Sequence, residues 1–141
     1  MVKQFLFPLL LIISQTLVQA QNLEDDAVGV WMNEDETVKV EITKNESVLS
    51  GKIVWTYKAH DSNGNLLLDR KNPDPQKRNQ PILGLTIING LKYSNGKWSG
   101  GTIYAPRRGQ LADCTLELSG DKLIVTVSTK GFSRSKVWTR Q

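Results

Sequence analysis

The chain of 141 residues carries 18 lysines and arginines against 14 acidic residues, and 39% of it is hydrophobic. The positive surplus is small and the two signs are interleaved, which argues against a nucleic-acid partner, because a nucleic-acid footprint is clustered as well as basic. One cysteine, Cys114, excludes an internal disulfide framework, and the length suits one domain with its own core.

The opening MVKQFLFPLLLIISQTLVQAQ holds one lysine, an apolar run from Phe5 to Ile13, and Val18 and Ala20 at the spacing a signal peptidase accepts. Residues 1–20 read as a cleavable secretory signal and residues 21–141 as the mature domain, exported to the periplasm or secreted. The apolar run falls short of the roughly 20 residues a membrane span needs, so no span is expected after cleavage. Removing Lys3 from the 18 basic side chains leaves 17 against 14 acidic ones. Cys114 lies in phase with Leu116 and Leu118 and reads as a small buried hydrophobe.

After a short acidic lead the apolar residues alternate. Val38, Val40 and Ile42 share one face; Leu49, Gly51, Ile53, Trp55 and Tyr57 share the next; Trp98, Gly100, Thr102 and Tyr104 share a third. Leu116 with Leu118, then Leu123 with Val125 and Val127, continue the period of two that marks strands with one buried face. Turn signals separate the runs, among them Asn63-Gly64, Asn95-Gly96, Gly120-Asp121 and Lys130-Gly131. The pattern predicts an all-β fold, a single antiparallel meander closed into a small barrel of about eight strands.

The two ends favour closure. Gly29-Val30-Trp31 opens the first strand and Trp138-Thr139-Arg140 ends the last, so the Arg140 guanidinium is expected to stack on Trp31 where the sheet meets itself. This pairing resembles the structural signature of the calycin and lipocalin superfamily. A closer resemblance spans most of the mature chain: Gly29-Val30-Trp31, Gly51-Lys52-Ile53-Val54-Trp55, Asp69 with Asn72-Pro73-Asp74-Pro75, Arg78, Pro81 to Gly84-Leu85, Trp98 with Gly100-Gly101, Tyr104 with Pro106, and Trp138-Thr139-Arg140. Together they resemble domain of unknown function 2147, a family of small exported bacterial proteins. The resemblance implies export and one calycin-like barrel, with no established activity. The chain departs from the family pattern at Ala105 and Ala112, where relatives tend to carry an aspartate and a tyrosine.

The stretch DRKNPDPQKRNQPILG, Asp69 to Gly84, is too polar and proline-rich for a strand. Pro73 and Pro75 hold Asn72 and Asp74 in extended or turning conformations, which makes a long loop rigid. Three readings compete for Asp69, Asn72, Asp74 and Arg78. Asp69, Asn72 and Asp74 cap turns, with Arg78 paired to one of them, in a loop that plugs or covers an end of the barrel; or the same oxygens gather a hard cation together with Asp61 and Asn63; or the loop forms a lid over a cavity. The cation reading lacks a later bidentate glutamate, so no metal site is assigned.

Trp55, Tyr57, Trp98 and Tyr104 on the inward phases, with Arg134 on the last strand, are the candidate ligand-binding residues. Phe132, Arg134, Lys136, Trp138 and Arg140 share one parity. Burial cost favours placing Arg134 and Lys136 outside; placed inside, they call for an acidic ligand head. His60 is the only histidine, and there is no nucleophile elbow or zinc-ligand spacing, so no catalytic residue and no cofactor is assigned. The expected role is binding of a small apolar or amphipathic molecule; the alternative is a filled barrel acting as a structural or protein-interaction module of the cell envelope.

Overall fold

A computed structural model describes residues 23–141; the signal-segment expectation for residues 1–20 lies outside the described residues. Eight antiparallel strands follow one another around a closed barrel: β1 (Gly29–Met32), β2 (Val38–Asn45), β3 (Val48–Thr56), β4 (Thr86–Ser94), β5 (Lys97–Ala105), β6 (Gln110–Ser119), β7 (Lys122–Thr129) and β8 (Phe132–Arg140). The expected meander and its closure are present. Among the described residues no helix is long and apolar enough to cross a membrane.

One end of the barrel, the base, is sealed by tryptophan. Trp31, Trp98 and Trp138 are buried there with Leu49, Leu91, Leu116 and Leu123. A 3-10 turn, Leu23–Asp25, crosses beneath them. Its backbone and the residues after it accept the indole donors: Trp31 Nε1 donates to the Ala27 carbonyl at 2.9 Å and Trp98 Nε1 to that of Glu24 at 3.2 Å. Buried indoles keep their apolar area only where the N–H finds an acceptor, and the lead segment supplies one to each. Val40, Ile53, Ile88, Cys114 and Val125 fill the middle of the barrel.

Closure follows the expected route. Trp31 pairs with Arg140 and Met32 with Thr139 across the seam. The Arg140 guanidinium lies 4.2 Å from the Trp31 ring centroid, and its nitrogens donate to the carbonyls of Val28 at 3.0 Å and Asp26 at 2.6 Å. Gly29 leaves the room: a Cβ there would come within 2.7 Å of the Arg140 Nη1, and its φ of +139° suits glycine.

Two bulges reset which residues face inward. On β3, Val40 pairs with Ile53 but Lys39 pairs with Trp55, so Val54 is an extra residue and Trp55 turns to the outer face. On β5, Trp98 pairs with Leu116 and Gly101 with Cys114, leaving Ser99 and Gly100 opposite a single residue. Gly100, at φ +79°, carries that bulge. Beyond it Gly101 and Ile103 face in, and Tyr104 faces out beside Leu111.

Replacing Arg140 with alanine removes the indole stack and both carbonyl ties, and is expected to cost about 2 kcal/mol of unfolding free energy. Arg140→Lys should recover only part of that loss, since an ammonium cannot stack and fork at once. Urea denaturation followed by tryptophan fluorescence checks both values.

Candidate functional site

The open end lies opposite the base. There the inward residues of β5 to β8 line a cavity of about 530 Å³, with Ile103, Val127 and Phe132 as its apolar wall and Arg134, Lys136 and Arg108 as its cations. β7 and β8 pair without a register shift, so Arg134 opposite Val127 and Lys136 opposite Val125 keep the inward parity of Trp138, opposite Leu123. The preference for an outward Arg134 and Lys136 is therefore corrected. Burial cost does not apply at the mouth, where solvent reaches the guanidinium while the stem covers apolar wall.

Lys136 is paired: its ammonium lies 3.1 Å from the Glu34 carboxylate, which also accepts the Val137 amide at 3.1 Å. The Val137 amide first, and Lys136 second, hold the Glu34 carboxyl below its ordinary range. Among the described residues, Arg134 has no carboxylate within ion-pair distance. Ala105 and Ala112 both line this cavity, where they leave space and bring no countercharge.

The other sequence-derived candidates divide. Trp98 is buried in the base and stacks at a tilt on Tyr93, centroids 5.2 Å apart, so it fills the barrel and does not line the cavity. Trp55 and Tyr57 are 40% and 57% exposed, which corrects their inward assignment. The bulge at Val54 puts Trp55 beside Lys39, whose ammonium sits 5.5 Å from the ring centroid, and Arg107 covers Tyr57 at 4.9 Å. Tyr104 borders the cavity, while its hydroxyl, on the outer side of β5, meets the long loop.

That loop, between β3 and β4, straps the outer wall. Its strands of backbone pair Leu68 with Pro81, and Lys71 Nζ donates to the Arg107 carbonyl at 2.8 Å, tying it to the β5–β6 turn. At its centre Asp69 is fully buried. Its two oxygens accept from the Tyr104 hydroxyl at 2.7 Å and the Asn72 amide at 2.8 Å. Asn72 Oδ1 accepts the Asp74 amide, Asp74 Oδ1 accepts that of Gln76, and Arg78 Nε donates to the Asn72 carbonyl at 2.7 Å. Asp61 Oδ1 is likewise taken by the amides of Asn63 and Asn65. The proline-rich stretch is thus rigid through turn caps. The residues lining the mouth come from β5 to β8, their turns and Asp35, and the base is crossed by Leu23–Asp25, so the loop neither lies over the mouth as a lid nor plugs an end of the barrel. It borders an outer groove of about 630 Å³ with Tyr104, Leu111, Pro73 and Leu83.

A profile of the bacterial family described as uncharacterized protein conserved in bacteria, DUF2147, matches residues 29–140. The chain belongs to the DUF2147 family. In structure this DUF2147 barrel is similar to protein HP1028 from the human pathogen Helicobacter pylori, described as belonging to the lipocalin family. The two share 17% identity at a TM-score of 0.70, covering 81% of this chain and 82% of that one. At that identity the likeness concerns the fold, a lipocalin-like barrel. None of the curated proteins matches this DUF2147 chain. Among the described residues no three His, Cys, Asp or Glu side chains gather as a metal would require.

Nothing in the sequence pattern singles out Glu34 or the apolar lining of the mouth as a whole. Phe132 shares the parity of Arg134 and was the available signal; nothing local shows that Glu34 lies against β8, more than a hundred residues away in the chain.

Burial, then the hydrogen bond to Asp69 and its charge, push the Tyr104 hydroxyl up from 10.0 to about 12. Since the folded value exceeds the unfolded one, this stabilisation is full below about pH 10 and is lost as pH rises through about 12. The phenolate absorbance difference between the protein and Tyr104→Phe should have its midpoint near the upper value. Burial likewise raises the Cys114 thiol to about 12. It is expected to resist a colorimetric thiol reagent at neutral pH until denaturant opens the barrel.

Proposed function

We propose that the protein binds a small amphipathic molecule at the barrel mouth, with its apolar body against Ile103, Val127 and Phe132 and an acidic head at Arg134. The observation that carries this reading is the inward, unpaired Arg134 guanidinium above an apolar wall. The cavity volume lies within the range of about 300 to 1,000 Å³ usual for small-molecule sites. The base and middle are filled by side chains, so the molecule sits at the mouth and does not thread the barrel. A lipocalin-like fold is compatible with this use and does not by itself establish it.

The same reading includes export. The opening segment has the form of a secretory signal, and a chain with one buried cysteine is at no risk of mispairing in an oxidising compartment. A second reading rests on the outer wall: exposed Trp55 and Tyr57 suit a protein-interaction module of the envelope, with the barrel as scaffold.

Dodecanoate, an acidic chain short enough for the mouth, should raise the melting temperature in a saturable way. Arg134→Ala should weaken its binding about tenfold or more, the loss of one charged hydrogen bond, while leaving the melting temperature of the free protein nearly unchanged. Native mass spectrometry of protein taken from the host's envelope supplies the natural counterpart: a removable mass excess supports the binder. A bare mass with no response to dodecanoate moves the assignment to the interaction module.

A further inference from the structure

Above Met32 the wall between β1 and β8 stops pairing. The seam consists of two residue pairs, Trp31 with Arg140 and Met32 with Thr139. Asn33 then turns the chain away, its Oδ1 accepting the amides of Thr37 and Val38. β8 runs on to Phe132 with β7 along its other side. The Val137 amide points into the resulting gap, since Glu34 accepts it there. In an antiparallel strand the N–H and C=O of one residue share a side, and the side alternates every residue. The backbone groups of Ser135 and Ser133 therefore also face the gap, where β1 offers them no partner. Their hydroxyls are occupied elsewhere, bonded at 2.9 Å to Thr126 and at 3.1 Å to Ser128 on β7.

Glu34 shows what this edge selects. One carboxylate satisfies a gap-facing amide, Val137, and neutralises the neighbouring inward cation, Lys136. One step along β8, the Ser135 amide and the Arg134 guanidinium present the same pair of requirements unmet.

We propose that the β8 edge from Ser133 to Val137 is the docking strip for an extended segment of a partner protein with acidic residues at alternate positions. Adding such a strand gives the N–H and C=O groups of Ser133 and Ser135 their partners. Its alternate side chains fall on the inward side, where the acids meet Arg134, while those between them lie beside the small Ser133 and Ser135. A free carboxylate could take the Ser135 amide but would leave both serine carbonyls without donors. A second copy of the chain fits poorly: two β8 edges paired about Ser135 set Arg134 against Lys136, and like charges directly opposite destabilise. Inward charges on an edge deter neutral strands, which leaves acidic ones as the class admitted. The occupant is a macromolecule, so the inference extends beyond small-molecule binding in the mouth.

A labelled, end-capped peptide alternating glutamate and valine is the probe, read by fluorescence anisotropy with the full mature chain. Saturable binding is expected, with amide hydrogen exchange slowed at Ser133 and Ser135, and none with the lysine-for-glutamate peptide. Ser135→Pro removes an amide that faces away from β7, so the β7–β8 ladder keeps its bonds and binding should fall about tenfold or more. Ser135→Ala keeps the amide and should bind as the parent does. Absence of binding by the glutamate peptide, or equal binding by Ser135→Pro, overturns the proposal. So does a dimer in native mass spectrometry that protects the same amides. Should Ser135→Pro lose its circular-dichroism signature, Arg134→Glu decides: retained peptide binding sinks the idea, and loss of binding together with the slowed exchange at Ser133 and Ser135 supports it. Dodecanoate binding without peptide binding defeats this inference alone; peptide binding without dodecanoate binding defeats the small-molecule reading alone.

Discussion

The contact on which the structure depends is the guanidinium of Arg140 lying on the indole of Trp31. A meander of hairpins closes only if its first and last strands, the most distant in sequence, are brought together against the entropy of the whole intervening chain. Here one residue of the last strand does three jobs, stacking on the first strand and donating hydrogen bonds to two carbonyls of the segment before it. The acceptors it ties down belong to the same lead segment that receives the donors of Trp31 and Trp98. Barrel closure and base sealing thus share one lead segment, which supplies the acceptors for both.

Closure at one end leaves the other open. β1 is too short to accompany β8 along its length, so the upper part of the last strand keeps one edge without a strand partner. That asymmetry turns Arg134 and Lys136 from an improbable pair of buried cations into residues of a solvated mouth. Glu34 bridges the lower part of the gap, which explains why a carboxylate in an acidic turn is held ionised more firmly than its exposure suggests. The same cations line the cavity and border the free edge, because in a barrel of this width a strand margin and the mouth it borders share side chains.

The long loop is stiff for a different reason. With few apolar residues it cannot build a core, and it is held by carboxylates and amides that cap successive turns, ending in a buried Asp69 bonded to Tyr104 and Asn72. A buried carboxylate without a cation is tolerable when both oxygens accept short hydrogen bonds. The bulge at Gly100 makes this possible by turning Tyr104 outward, so a backbone irregularity on one strand positions the anchor of a loop that lies elsewhere in sequence.

By itself the sequence determined the all-β class, a closed meander of about eight strands, several of the turns between them, and the residues that close the barrel. These follow from local chemistry: side-chain period, glycine and asparagine at turns, and an aromatic and a guanidinium at opposite ends. The rigidity of Asp69 to Gly84 was legible in its prolines and capping side chains. The tertiary structure alone decided which way Trp55, Tyr57, Tyr104 and Arg134 face. A single extra residue in a strand exchanges its two faces, and neither the Val54 nor the Gly100 bulge announces itself in a pattern that is periodic on both sides of it. The cost assigned to an inward cation likewise depends on its depth below the rim, a quantity fixed by where β1 ends and Asn33 turns the chain, not by any property of β8.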